Sequence, residues 1–488
     1  MKKRQVIKMC SAIFAAFTLS GAAFAKSVNV ADFGAKGDGV SDNTKQIQNA
    51  IDECSASGGG FVEFGFGEYK SGHIILKDNV VLKLASNAVL LGSEDFNAYP
   101  KIDLPTADAD FNYAFIYAKG AKNIGIEGGT IRGAGDKFTH DPKHPQYHHR
   151  PRNILFDSCK NVSVKNVKMR SPAFWNAFFL YCDGVILNNL DIFAHANHNN
   201  DGLDISSKNV VVSNCIIDAL DDGICLKNEH GQSFVVENIS ITNCVVASSS
   251  NFFKIGTGTQ GDFKNITVSN CVFKRVYPQT MLKWDWLKNA GIEKGAATGI
   301  SGIALEAVDG GSVQNVAISN IVMTGIQTPI FIRVDDRNNK NLLNKKSSMQ
   351  NISISNIIAN AESWITSTIT AVNGYELKNI TISDCMFTIK GCNLENADKA
   401  IVPEPKKTYP ENRMFGVLIP SYGFYVRNTK DITFSNVQLK FTGEEKRPAF
   451  YAENTEGLRL INCIFKKSSA SENLRFVKTK PEIVNSVY

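Results

Sequence analysis

The chain has 488 residues, 43% hydrophobic and 20% charged, which suffices for a large buried core and excludes a disordered chain. Its formal charge is +6, but four cations and no anion lie in the first 25 residues, so the remainder carries only +2. That balance excludes a global basic field of the kind that gathers nucleic acid. The first 25 residues read as an export segment. Lys2, Lys3, Arg4 and Lys8 precede an apolar stretch from Ser11 to Ala22, and Ala23-Phe24-Ala25 has the small-x-small form of a cleavage site. The apolar run is too short to span a membrane. The mature protein is expected in the periplasm or outside the cell, as a monomer with no membrane span. Ten cysteines follow, none in a Cys/His cluster with metal-ligand spacing.

After a short strand, Asp42 is placed to cap a helix in which Ile47, Ala50, Ile51 and Cys54 share one face. Gly58-Gly59-Gly60 ends it. An open stack of repeats needs its end covered, so this helix is expected to cap the core. Strands are predicted at 61–64, 72–76, 80–84 and 88–91. Residues 26–100 would thus form the cap and the first coils.

From residue 123 a repeat takes over. NIGIEGGTI from Asn123 is followed by NVSVKNVKM from Asn161, NVVVSNCII from Asn209, NISITNCVV from Asn238 and NITVSNCVF from Asn265. NVAISNIVM from Asn315, NISISNIIA from Asn351 and NITISDCMF from Asn379 continue it, with weaker copies at Gly184, Asp431 and Gly457. Steps of 23 to 29 residues, each with two short alternating strands, predict a parallel β-solenoid. Steps of 50 and 52 residues read as two coils each, and one of 36 as a single coil with a long loop. The sixth-place asparagines, such as Asn214 and Asn243, are expected to stack as an amide ladder. Cys215, Cys244, Cys271, Cys385 and Cys463 share one place in the repeat and read as buried thiols. Residues 26–488 are expected to form one domain.

Asn199 to Lys227 carries the chemistry. Asp201 and Asp222 are 21 residues apart, close to one coil, so stacking brings them together beside Asp221. Adjacent strand residues point to opposite faces, so Asp221 and Asp222 share a groove only if the chain bends there. Crowded carboxylates keep one member protonated, and an acid beside a base suffices to split a glycosidic bond. Ordinary turn carboxylates or a calcium site are the plainer readings of the same residues.

Asn199-Asn200-Asp201, Asp221-Asp222 and the opening DFGAKGDGVSDNTKQIQNAID resemble the family 28 glycoside hydrolases, the polygalacturonase-like enzymes. The resemblance implies an all-β, right-handed parallel β-helix, a pectin-lyase-like solenoid with an N-terminal helical cap. It implies inverting hydrolysis of a pectic or related acidic polysaccharide, without cofactor or metal. By it Asp221 is the general acid, Asp201 and Asp222 hold and activate water, and Asn199 supports them. The family's Gly-His-Gly is replaced by Ser250-Asn251-Phe252, and its Arg-Ile-Lys by Ala304-Leu305-Glu306. Asn251 and Glu306 are therefore placed among the substrate-binding residues. Glu306 would repel a uronate, so poor activity on plain polygalacturonate is expected. Lys254 and Arg333, inside strand-like runs, are substrate-binding candidates, and Lys227, Lys283 and Arg337 are further cations in reach.

His195 and His198, and the loop with His140, His144, His148 and His149, read as loop residues. Trp284 and Trp286 could stack on sugars or pack a loop. Tyr409 to Asn428 reads as a long loop closing onto the solenoid, with Arg413 or Tyr422 reaching the groove. Two rivals remain: a polysaccharide lyase on the same architecture, and a glycan-binding protein without catalysis.

Overall fold

The computed structural model describes residues 26–104, 111–229, 234–278, 290–293, 296–337 and 345–488. The export segment at 1–25 and Lys283, Trp284 and Trp286 lie outside the described residues.

The protein is all-β, and its strands join in one coiled parallel sheet. Each strand pairs with the equivalent strand one coil further on. Ile124, Val162, Val185, Val210 and Ile239 stack in register, and the column continues through Ile266, Val316 and Ile380 to Leu458. All are buried. β-Branched side chains suit this pleated interior, and each contributes about 1.5–3 kcal/mol by leaving water. The alternation of the repeat is thus the alternation of inward and outward faces.

Asparagine turns the coils. The first residue of each strong repeat copy and most of the sixth-place ones have φ between 53° and 59°. Asparagine enters this left-handed region more readily than other residues that carry a Cβ. The first-place amides form the longer ladder. Asn238 donates to Asn209 at 3.0 Å, Asn265 to Asn238 at 3.1 Å, Asn315 to Asn265 at 3.1 Å and Asn351 to Asn315 at 2.9 Å. The predicted sixth-place ladder runs beside it, as in Asn320 to Asn270 at 3.1 Å.

Two spacings read differently in the structure. The 50-residue step is one coil, because Ile266 pairs directly with Val316, and the 52-residue step is one coil, because Ile380 pairs directly with Ile432. The sheet is left after Phe273 and re-entered at Gly299, and left after Lys390 and re-entered at Phe424, with no further strand among the described residues between. The 36-residue step is a single coil, as expected, with Val316 on Ile352. The ten described cysteines are buried and form no disulfide among the described residues.

The helix spans Thr44–Ala56 and buries Ile47, Ala50, Ile51 and Cys54 against the first strands. Its N-cap is Asn43 rather than Asp42. The Asn43 amide is drawn away to hold Lys36, and Asp42 accepts from the Thr44 N–H instead. No described helix is long and apolar enough to cross a membrane.

Candidate active site

The site forms at one corner of three successive coils. Strands Leu203–Ser213 and Ile224–Asn228 pair with Leu203 on Ile224, which aligns Gly202 with Gly223 just before them. The Gly202 N–H donates to the Asp222 carbonyl at 2.9 Å, and the Gly223 N–H to the Asn251 carbonyl at 2.8 Å. Asp201, Asp222 and Asn251 therefore occupy the same corner of consecutive coils. A side chain at Gly223 would lie 2.8 Å from the Phe252 carbonyl, so the corner requires glycine for close approach. Residues 220–223 lie outside the strands, in a bend between Ile216–Ala219 and Ile224–Asn228. That bend lets neighbouring Asp221 and Asp222 face one groove.

One carboxylate oxygen from each of Asp201, Asp221 and Asp222 lies within 4.8 Å of the others. Asp201 and Asp222 are buried, and Asp221 is partly open to solvent. The three are unlike in charge. Burial, then Asp204 and Asp221, push Asp201 well above the usual carboxylate range. Its Oδ1 has no hydrogen-bond partner among the described residues. Desolvation and the neighbouring Asp222 push Asp221 up to about 6. Burial also works to raise Asp222, but the Lys254 and Lys227 ammonium groups outweigh it and hold Asp222 below its ordinary value. Asp222 is thus the first of the three to ionise, and Asp221 and Asp201 hold their protons to higher pH.

Lys254 reaches in from the next coil, its Nζ 3.0 Å from Asp222 Oδ2. Asp222 Oδ1 accepts from the Asn251 side-chain amide at 2.8 Å and from its backbone N–H at 3.1 Å. Glu306 is buried one coil beyond, and its Oε2 has no partner among the described residues. Burial pushes it up to about 7. Asn199 does not reach the carboxylates through a direct bond of its own in this arrangement; its Oδ1 accepts from Arg150 at 3.2 Å. Arg333 is fully buried, bonded to Asp335 at 2.7 Å and to the Pro405 carbonyl at 2.6 Å, so its guanidinium is occupied by the protein itself. Arg337 is paired with Asp309 at 2.8 Å.

Three residues of the site carried no separate signal in sequence. Asp204, in the Leu203–Ser213 strand, is fully buried 3.4 Å from Lys227, and burial pushes it up to about 7. The final Asp of NNDGLD was the available hint. Arg150 is buried and donates to the His198 carbonyl at 2.6 Å as well as to Asn199. Tyr409 places its hydroxyl 3.3 Å from Lys254 Nζ, yet is 55% exposed. It lies in the segment expected to close onto the solenoid. Of the residues expected to reach the groove, Arg413 is buried and pairs with Glu411, itself near Lys254, at 3.0 Å, and the Tyr422 hydroxyl donates to the Lys466 carbonyl at 2.6 Å.

The floor continues on either side. Trp175 lies 4.5 Å beneath Lys227 and stacks on Phe174, and Arg152 sits over both rings. His195 is tied to Asp218 at 2.8 Å and stacked on Phe193, so it supports a loop. His148 and His149 pack against Phe111 and Tyr113, and His140 lies beside His198. Among the described residues the Asp201, Asp221 and Asp222 group alone has metal-ligand spacing, and Lys254 already supplies a cation to it.

An exo-poly-alpha-D-galacturonosidase of Dickeya chrysanthemi is 27% identical over 300 residues, covering 49% of this chain and 48% of that one. A probable polygalacturonase of Vitis vinifera is 28% identical over 221 residues, covering 42% and 45%. The chain thus spans about half the length of these curated relatives. An exopolygalacturonase structure from Thermotoga maritima superposes with a TM-score of 0.62 at 20% identity, over 85% of this chain and 92% of that one. The model of the glycosyl hydrolases family 28 matches residues 77–403. That is two thirds of the sequence and includes every carboxylate of the cluster, and the chain belongs to the glycosyl hydrolases family 28.

Proposed function

We propose that the protein hydrolyses glycosidic bonds in a pectic, galacturonan-type polysaccharide or its oligosaccharides. The observation that carries the reading is one corner that gathers three carboxyls, where Lys254 and Asn251 hold Asp222 and burial pushes Asp201 and Asp221 up. Asp221, the most open of the three, gives its proton to the departing glycosidic oxygen. Asp222 takes the proton from the attacking water, and Asp201 holds that water in line. The polygalacturonase names of the relatives support the substrate class. Glu306, with an oxygen that has no partner among the described residues, borders the place where the leaving sugar would lie.

Water adds from the face opposite the departing oxygen, so the newly released sugar has inverted configuration. Inverting glycosidases commonly separate their carboxyl groups by about 6.5–9.5 Å. Here one oxygen of each carboxyl lies within 4.8 Å of the others, and the group includes the two that would share the water. NMR of the first-formed anomer decides this; retention would make one carboxylate a nucleophile. The winding is right-handed, the Thr44–Ala56 helix caps it, and residues 26–488 form one exported catalytic unit. Asn199 acts through the Arg150 contact as a support of the Asp201 corner.

Asp221→Asn tests the assignment. Reducing-end release from polygalacturonate and from branched pectin should fall by 10²-fold or more, with an unchanged circular dichroism spectrum. In the wild type, kcat should decline as pH rises through about 6, where Asp221 loses its proton. Normal turnover in the variant would remove Asp221 from the mechanism.

A further inference from the structure

We infer that Lys254 is a positioning residue: with Asn251 it orients Asp222 and selects it, among the clustered carboxylates, as the one that takes a proton from water. The inference rests on the hydrolytic reading above. Lys254 lies in the strand Asn251–Thr259, where the register sets it between Cys225 on one coil and Ala304 on the other. Both neighbours are small and uncharged, so stacking alone would be satisfied by an apolar side chain. A buried ammonium costs several kcal/mol in lost hydration unless it is paired. Lys254 is 2% exposed, and its charge is met by Asp222 at 3.0 Å and by the Tyr409 hydroxyl at 3.3 Å.

The result is a carboxylate with donors on both oxygens: Lys254 on Oδ2, and the two Asn251 N–H groups on Oδ1. Rotation of Asp222 would break these bonds, while Oδ2, which accepts only from Lys254, keeps a lone pair for a proton. Asp201, one coil earlier at the same corner, lacks any such donor on Oδ1 among the described residues. Two carboxylates in equivalent places are thus made unlike by two side chains from the following coil, Asn251 and Lys254.

The other charged groups around the pair come from every adjoining element. Asp201 and Asp204 face it from the preceding coil, and Asp221, Cys225 and Lys227 from its own. Glu306 faces it from the coil beyond Lys254, with Arg337 behind, and Tyr409 and Glu411 from the segment that overhangs the site. Lys227 is engaged by Asp204 at 3.4 Å, so it does not replace Lys254 when that ammonium is removed. An opposite charge at this distance lowers a carboxyl by about 1–3 pH units. Without it, Asp222 moves up toward Asp221, and the two compete for the same proton.

The test compares Lys254→Met with Lys254→Arg, using reducing-end release against pH and NMR titration of 13C-labelled aspartate carboxyls. An Asp222→Asn sample assigns the Asp222 resonance. In Lys254→Met, the acid limb of kcat/KM should move up by about 1–3 pH units, with kcat falling more than KM rises. Lys254→Arg should keep the limb near its wild-type place. An unmoved limb, or a loss confined to KM, would overturn the inference and make Lys254 a substrate contact or a structural pin. If Lys254→Met does not fold, Lys254→Gln, which keeps a donor without the charge, carries the same expectation. If even the wild type releases no reducing ends, the hydrolytic reading fails, and the titration still decides the present one. Asp222 titrating at the same pH with and without the ammonium overturns it.

Discussion

Glu306 is a carboxyl without a protein partner for one oxygen among the described residues, and it is only 1% exposed. Burial raises it from 4.5 to about 7, against the pull of Lys254. The consequence for stability has a definite sign. Below pH 4.5 the folded and unfolded chains both hold the proton. Between 4.5 and 7 the folded chain keeps a proton that the unfolded chain has released, so stability falls as pH rises, and the loss is complete above 7. The span corresponds to roughly 3 kcal/mol. Glu306→Gln keeps the shape without the titration. Its thermal midpoint should exceed that of the wild type at pH 8 and match it at pH 4; equal gaps at both pH values would mean that the side chain is not titrating there. At this scale the sequence was partly legible. Asp201, Asp221 and Asp222 stand in a recognisable spacing, and the required bend is where the chain leaves the strands. Asp204, Arg150 and Tyr409 were hidden for different reasons. Asp204 looks like one more turn-region acid, Arg150 acts 49 residues from Asn199, and Tyr409 acts 155 residues from Lys254.

The coil is held by inward β-branched side chains and by its asparagine corners, and the corners can be tested separately. Asn315 has φ of 58°, donates to Asn265 and accepts from Asn351. It therefore contributes both a tolerated left-handed backbone and two amide bonds. Asn315→Ala loses both and should destabilise by about 1–2 kcal/mol. Asn315→Gly restores the backbone freedom without the ladder and should cost less. Urea midpoints of the two variants check the order, and glycine costing more than alanine would assign the corner to the amides alone. The repeat made the strands and both asparagine places readable, because inward and outward faces must alternate in every copy. Coil count was not readable from spacing. Asn315 stands 50 residues after Asn265 yet donates to it directly, so the interval does not count coils. Asp42 misled for a local reason: Asn43 beside it occupies the cap while its amide serves Lys36.

Across the whole molecule, a segment between Met386–Lys390 and Phe424–Arg427 runs back over the outer face of the sheet and brings Tyr409 to Lys254. Several coils hold it. Arg427 donates to the Val402 and Pro403 carbonyls at 2.7 Å, Asn412 to the Ile300 carbonyl at 2.8 Å, and Arg333 to the Pro405 carbonyl at 2.6 Å. Val402, Phe415 and Ile419 pack on Tyr425 beneath it. The site is therefore bounded on this side by a covering fixed far along the chain, and Tyr409 is flanked in sequence by the Arg333 contact at Pro405 and the Asn412 contact at Ile300. Arg333 does this while paired with buried Asp335 at 2.7 Å. Arg333→Met would free the Pro405 carbonyl and leave Asp335 without its cation, a loss of about 3–5 kcal/mol when one partner of a buried pair is removed. The cost falls first on the covering, because the strand beneath keeps its backbone pairing with both neighbours. Limited proteolysis should then cut the variant near residues 403–412 under conditions that leave the wild type whole. Reducing-end release should weaken mainly through KM, as Tyr409 leaves the edge of the site while the carboxylates stay in place. Protection equal to the wild type, with KM unchanged, would mean that the remaining anchors at Val402, Pro403 and Asn412 suffice and that Arg333 serves only its own strand.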